Sequence, residues 1–185
     1  MGNKFKISVR VSLNPIRQLD SSSDFNGIKP KLENITYKET KKISKLCNQI
    51  RASWKGKFYF KEEKIESGKL VEKGLRSPQI GALYSTLAHW KITNSPATIV
   101  IPTGIGKTET MLSLIVHQQL ERVLVVVPTD ALREQITDKF LGLGLLKDLG
   151  VIKNNTQFPI VGTLEHRLKT VEDAELFFDS CNVII

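Results

Sequence analysis

The chain has 185 residues, of which 41% are hydrophobic and 25% charged, so it is long and apolar enough to bury a core. This composition argues against intrinsic disorder, and its two cysteines are too few for a disulfide scaffold. The net charge of +8 is uneven: residues 1–75 hold 17 Lys and Arg against 8 Asp and Glu, and residues 76–185 hold 10 against 11. The excess positive charge therefore lies in the first part of the chain, where it permits an acidic partner.

No hydrophobic stretch predicts contact with a membrane. The basic residues near Met1 are not followed by the apolar segment of a signal peptide, and the longest aliphatic run, 123–127, is far too short to span a bilayer. We therefore expect a cytoplasmic protein.

The first 73 residues predict a small basic α+β segment. Apolar and polar residues alternate over 5–13, which indicates a half-buried strand, and apolar residues at three- and four-residue intervals predict a helix over 38–54. Residues 55–73 mix both charges around one apolar cluster, Phe58, Tyr59 and Phe60. Such a surface is either simply solvated or a contact for nucleic acid, and the sequence leaves both interpretations open.

From residue 74 onward, strands and helices alternate. Four β-branched apolar runs predict buried strands, at 98–101, 123–127, 159–161 and 182–185. Helical patterns lie at 77–90, with Ser77 as the expected cap, and at 107–119, 130–141 and 164–178. This alternation predicts an α/β fold with a parallel sheet and flanking helices. Because the last apolar run is still open and four strands are few for such a sheet, we expect residues 74–185 to be an incomplete domain of a fragment.

One loop carries the clearest chemistry. The segment from Ile101 to Thr108 reads IPTGIGKT, in which Gly104 and Gly106 allow the backbone to turn N–H groups toward a polyphosphate. The helix that begins at Lys107 adds its positive N-terminal dipole. Lys107 is placed to reach the outer phosphates, and the Thr108 hydroxyl is placed to hold Mg²⁺. The general pattern of such loops has Gly at position 101, where Ile stands here.

Two further segments allow both an ordinary and a functional interpretation. Gln79, near the start of a predicted helix, is either a solvent-facing side chain or a reader of an adenine edge, since its carboxamide both donates and accepts. In the segment VVPTD, Thr129 or Asp130 either caps the next helix or lies in a loop at the end of a parallel strand, where nucleic-acid phosphate can bind.

The three segments, in this order and spacing, resemble the first RecA-like domain of superfamily 2 helicases and translocases, a group that includes DEAD/DEAH-box enzymes and restriction motors. The segment PTGIGKTE is similar to motif I, in which Pro-Thr-Gly replaces the general loop start, and VPT is similar to motif Ia. The form LRSPQ at 75–79 is similar to the adenine-reading motif. The resemblance implies contacts with ATP and Mg²⁺ at Arg76, Gln79, Thr103, Gly104, Ile105, Gly106, Lys107, Thr108 (the Mg²⁺ ligand) and Glu109, and contacts with nucleic acid at Pro128, Thr129 and Arg133.

Parts of the family pattern are missing from the chain. Asp-Glu does not occur as adjacent residues anywhere, so the Asp-Glu-x-His box, and with it the general base, is absent and we assign no catalytic residue. The second RecA-like domain, which carries the arginine finger in the family, is also missing. The resemblance thus implies an ATP-hydrolysing parent that acts on nucleic acid, with DNA favoured over RNA and a restriction or phage-defence role as a hypothesis. The fragment itself is expected to bind ATP weakly without hydrolysing it, to lack the C-terminal remainder as partner, and to have an undetermined oligomeric state.

Two alternatives from other classes remain. A nucleotide-binding regulatory module would use the loop without moving on nucleic acid, and a small-molecule kinase also ends its loop in Gly-Lys-Thr. Gln79 and the VPT segment weigh against the regulatory module, and Ile101 weighs against the kinase, which usually keeps Gly there.

Overall fold

A computed structural model describes residues 8–11, 37–164, 168 and 170–185 of the chain. Within these ranges it contains six strands and five helices. In chain order they are β1 (Ser8–Val11), α1 (Tyr37–Ser53), β2 (Lys64–Glu66), β3 (Lys69–Glu72), α2 (Ser77–Ile92), α3 (Lys107–Gln118), β4 (Val123–Leu124), α4 (Asp130–Leu141), β5 (Ile160–Thr163), α5 (Val171–Asp179) and β6 (Val183–Ile184).

The main sheet has the strand order β1-β5-β6-β4. β6 runs parallel to β4 and β5, and Val183 is paired with Val123 on one side and Val161 on the other. β1 is antiparallel to β5. β5 and β6 are buried along their whole length, as strands covered by helices on both faces must be. The predicted α/β class with a parallel sheet is therefore confirmed.

α1 is anchored to this sheet and shares its core. Cys47, Ile50 and Trp54 belong to the buried cluster that also contains the strand residues of β5 and β6. The Asn182 side chain donates to the carbonyl of Cys47 at 3.0 Å and accepts from the N–H of Ile160 at 3.1 Å. The indole N–H of Trp54 donates to the carbonyl of Gln157 at 2.9 Å. The basic N-terminal part of the chain thus packs directly against the sheet of the C-terminal part.

Local patterns predicted the helices well. α1, α2, α3 and α4 lie within two residues of their predicted bounds, whereas α5 begins at 171 rather than 164, and residues 165–167 and 169 lie outside the described ones. The predicted cap of α2 is wrong, because Arg76 and not Ser77 is its N-cap. Of the predicted strand at 5–13, residues 8–11 form β1 and the others lie outside the described residues.

The strand prediction for 98–101 is also wrong. Among the described residues this segment pairs with no strand, and Val100 is 89% exposed. β4 is shorter than its predicted run, and β5 extends two residues further, to Thr163. An apolar, β-branched run favours a strand. A strand in a sheet also needs a neighbouring segment whose backbone N–H and C=O groups are free to form hydrogen bonds with it. None of the helices in the described ranges is long and apolar enough to cross a membrane.

Candidate functional site

The loop before α3 depends on two glycines with left-handed backbone conformations. Gly104 has φ +81° and Gly106, the N-cap of α3, has φ +99°. A Cβ atom at position 106 would also lie 2.5 Å from Nε2 of Gln79, whereas one at position 104 would meet open space. Other residues rarely adopt these φ values, so the sequence Gly-x-Gly sets the course of the loop.

Two side chains at the start of α2 hold the carbonyl groups of this loop. Arg76 donates from Nη1 to the carbonyl of Gly104, and Gln79 donates from Nε2 to the carbonyl of Gly106, both at 2.9 Å. Oε1 of Gln79 accepts from the N–H of Arg76, the N-cap of α2, at 2.8 Å. Because C=O and N–H point in opposite directions across a trans peptide, the contact with Gln79 turns the N–H of Lys107 away from α2.

The opposite side of the loop suits a magnesium-bound polyphosphate. Thr103, Gly104 and Lys107 are exposed, and the first N–H groups of α3 have no acceptor within the helix. The cation of Lys107 and the positive helix end both favour an anion there. Thr108 lies in the first turn of α3 with 8% of its surface exposed, and its hydroxyl is an oxygen ligand of the kind that Mg²⁺ accepts. The residues present therefore fit ATP with its magnesium ion.

Glu109 lies behind the loop and is only 6% exposed. Its Oε2 lies 3.1 Å from the position of a Cβ on Gly106, and its Oε1 lies 3.3 Å from the position of a Cβ on Gly144. The segment after α4, with Leu143 at φ +57° and Gly144 at φ +54°, thus packs against the start of α3. Sequence reasoning missed this contact, since GLG after a helix reads as an ordinary helix end.

Gln79 is engaged within the protein. The residue is 3% exposed, and both ends of its carboxamide form the hydrogen bonds described above. The interpretation of Gln79 as a solvent-facing residue is therefore wrong. Recognition of adenine by Gln79 stays a prediction, and it requires the carboxamide to exchange at least one of these partners.

The VPT segment ends on the exposed side of the fold. Thr129 is the N-cap of α4, and its hydroxyl accepts from the N–H of Leu132 at 3.3 Å, which confirms the capping interpretation. Pro128 and Thr129 are exposed, and Nη2 of Arg133 pairs with Oδ1 of Asp130 at 3.1 Å. The contacts with nucleic acid at these residues stay predictions.

Comparison with known proteins assigns the family. The family model described as "Type III restriction enzyme, res subunit" matches residues 72–180, which is more than half of the chain and includes all three segments. The chain belongs to this family. No curated protein and no solved structure shows significant similarity to it. Membership in the res subunit family confirms the resemblance to superfamily 2 helicases and implies a RecA-type P-loop NTPase fold.

Proposed function

We propose that the chain is the ATP-binding part of an ATP-dependent nucleic-acid helicase or translocase of a restriction or phage-defence system, acting on DNA. The observation that carries this proposal is the loop geometry: two left-handed glycines lie directly before a helix that begins with Lys107 and Thr108. In this role Lys107 binds the outer phosphates and Thr108 holds the magnesium ion. Arg76 and Gln79 fix the loop by its carbonyl groups, so that its N–H groups stay available to phosphate.

We further propose that this polypeptide binds ATP without hydrolysing it. Hydrolysis in P-loop enzymes needs a group that orients or activates water and a cation that stabilises the transferred phosphoryl group. The sequence contains no Asp followed directly by Glu, which supports the proposal. Release of radiolabelled phosphate from ATP is the measurement, and we expect none above background. Turnover that is abolished by Lys107→Ala would contradict the proposal.

The loop after β4 is proposed to bind the phosphate backbone of the nucleic acid. Thr129→Asp separates this role from capping, because Asp is an equally good N-cap but its charge repels phosphate. We expect the variant to keep the stability of the wild type and to bind a single-stranded oligonucleotide more weakly in a filter-binding titration at low salt. Unchanged binding by Thr129→Asp would refute the phosphate contact, and Thr129→Ser serves as the control that preserves both cap and charge.

A further inference from the structure

A second basic surface lies apart from the loop before α3, on the segment that follows α1. Residues 57–59 pair with residues 151–153 in an antiparallel arrangement, through the bridge between Phe58 and Ile152. The N–H of Lys153 donates to the carbonyl of Lys57 at 3.1 Å, and the N–H of Tyr59 donates to the carbonyl of Val151 at 2.8 Å. This pairing places Lys57 directly opposite Lys153.

Aromatic contacts hold the side of this segment that carries Phe58 and Phe60, partly at the surface, since Phe60 is 37% and Tyr84 is 54% exposed. The ring of Phe58 contacts that of His117 at 5.4 Å between centroids, and the ring of Phe60 stacks on that of Tyr84 at 4.8 Å and 10°. Ile152, opposite Phe58, is 2% exposed. Tyr59 lies between the two phenylalanines in sequence and is 45% exposed, so its ring is available on a backbone that is held in place.

Two lysines face each other across this pairing on its outer side. Like charges directly opposite in an antiparallel pair repel each other. Neither Lys57 nor Lys153 forms an ion pair within the described residues: Nζ of Lys57 donates to the neutral Oδ1 of Asn155 at 2.9 Å, and Nζ of Lys153 lies 5.7 Å from the centroid of the Tyr59 ring. Both ammonium groups therefore lack an anionic partner among the described residues.

We propose that Lys57, Tyr59 and Lys153 form an accessory binding surface for single-stranded nucleic acid. The two lysines bind phosphates, and a base stacks on the exposed ring of Tyr59. Proteins that bind single strands with little sequence preference use this combination of basic and aromatic side chains. The aromatic ring favours a nucleic acid over an acidic protein segment, which would need the charges alone. This inference rests on the proposed function, because the surface would be a second contact for the single-stranded nucleic acid that the loop after β4 is proposed to bind.

The test uses the complete chain and the fluorescence anisotropy of a labelled oligothymidylate, titrated at several salt concentrations without nucleotide. Tyr59→Ala is expected to weaken binding by about fivefold or more, whereas Tyr59→Phe, which keeps the ring, leaves it unchanged. The double variant Lys57→Gln, Lys153→Gln is expected to lower the slope of log K against log salt by roughly 1.4, at about 0.7 per lost phosphate contact. Lys91→Gln removes an exposed lysine of α2 and serves as the matched control.

Three results overturn the proposal. In the first, Tyr59→Ala and the double lysine variant bind with the affinity and salt slope of the wild type, whereas Thr129→Asp binds more weakly. This result refutes the accessory surface and leaves the proposed function intact. Weaker binding by the lysine variant alone, with Tyr59→Ala unaffected, means that the surface is a general anion site to which an acidic protein could bind equally well. Absence of binding by the unaltered chain at low salt contradicts both this inference and the proposed function.

Discussion

Replacing Gly106 by alanine tests how the loop before α3 is held. The new Cβ would lie 2.5 Å from Nε2 of Gln79, closer than packed atoms approach, so the hydrogen bond of 2.9 Å from Gln79 to the carbonyl of residue 106 must break or lengthen. The φ of +99° is also unfavourable for alanine. We expect a backbone cost of about 1 to 3 kcal/mol and a further cost of about 1 kcal/mol for the lost hydrogen bond.

Two comparisons separate these costs. Gly104→Ala has a similar backbone penalty, with φ +81°, but its Cβ meets open space, so it should be less destabilising than Gly106→Ala. In a Gln79→Ala background the contact at 2.5 Å is removed and only the approach of Glu109 Oε2 at 3.1 Å remains, so the cost of Gly106→Ala should fall toward that of Gly104→Ala. Urea denaturation gives the free energy of unfolding of Gly106→Ala, Gly104→Ala, Gln79→Ala and the double variant Gln79→Ala, Gly106→Ala. Equal costs for the two glycine substitutions, with no relief from Gln79→Ala, would refute the conclusion that Gln79 holds the loop at Gly106.

Two predictions concern buried groups away from the loop. Burial raises the pKa of Cys47 to about 12 and raises the pKa of Cys181 as well, so we expect neither thiol to react with a disulfide reagent at neutral pH until denaturant is added; rapid labelling of the native protein would contradict their burial. Burial lowers the pKa of Lys147 from 10.5 to about 8, and its Nζ lies 3.7 Å from the centroid of the Phe158 ring with no hydrogen-bond partner among the described residues. Because the unfolded chain binds more protons between these two pKa values, stability should rise with pH from about 8 to 10.5. Lys147→Met should raise the free energy of unfolding at pH 7 by about 1 to 2 kcal/mol, less than the shift alone implies because the residue is partly solvated. A lower melting temperature for Lys147→Met, or stability that falls over this pH range, would contradict the conclusion that burial of the charged Lys147 destabilises the protein.

The helices were predictable because their determinants are local. α3 begins directly after the glycine-rich loop, and α4 begins after Thr129, whose side chain caps it. The capping residues and the periodic apolar residues of such a helix lie within a few positions of each other. A helix of this kind can therefore be predicted from the local sequence alone.

The strands were less predictable because pairing is a property of two segments. The run at 98–101 has suitable residues but no paired neighbour in the described part of the chain. The hairpin of β2 and β3 shows the opposite case: its residues are mostly exposed and charged, and the turn at Ser67 and Gly68, with φ +51° and +76°, brings them together. Strands of three and four residues are too short for an alternating pattern to predict them, so the hairpin does not follow from the sequence.

The position of the loop before α3 was predictable, but not all of its contacts were. The loop sequence predicted the glycines, Lys107 and Thr108 with their positions before and within α3. The sequence could not reveal that both ends of the Gln79 carboxamide are engaged within the protein, since the acceptor in the loop lies 27 residues away. Nor could it reveal the approach of Gly144 to Glu109. Both contacts depend on how separate helices pack.

Isothermal titration of the chain with ATP in the presence of Mg²⁺ tests the central claim most directly. The wild-type chain should bind ATP, and Lys107→Ala should weaken binding by about tenfold or more, since it removes a charge-assisted contact with phosphate. Lys139→Ala, which removes an exposed lysine of α4, should bind as the wild type does. Equal affinity of the wild type and Lys107→Ala, or no detectable binding by the wild type, would contradict the assignment of this loop as the ATP site.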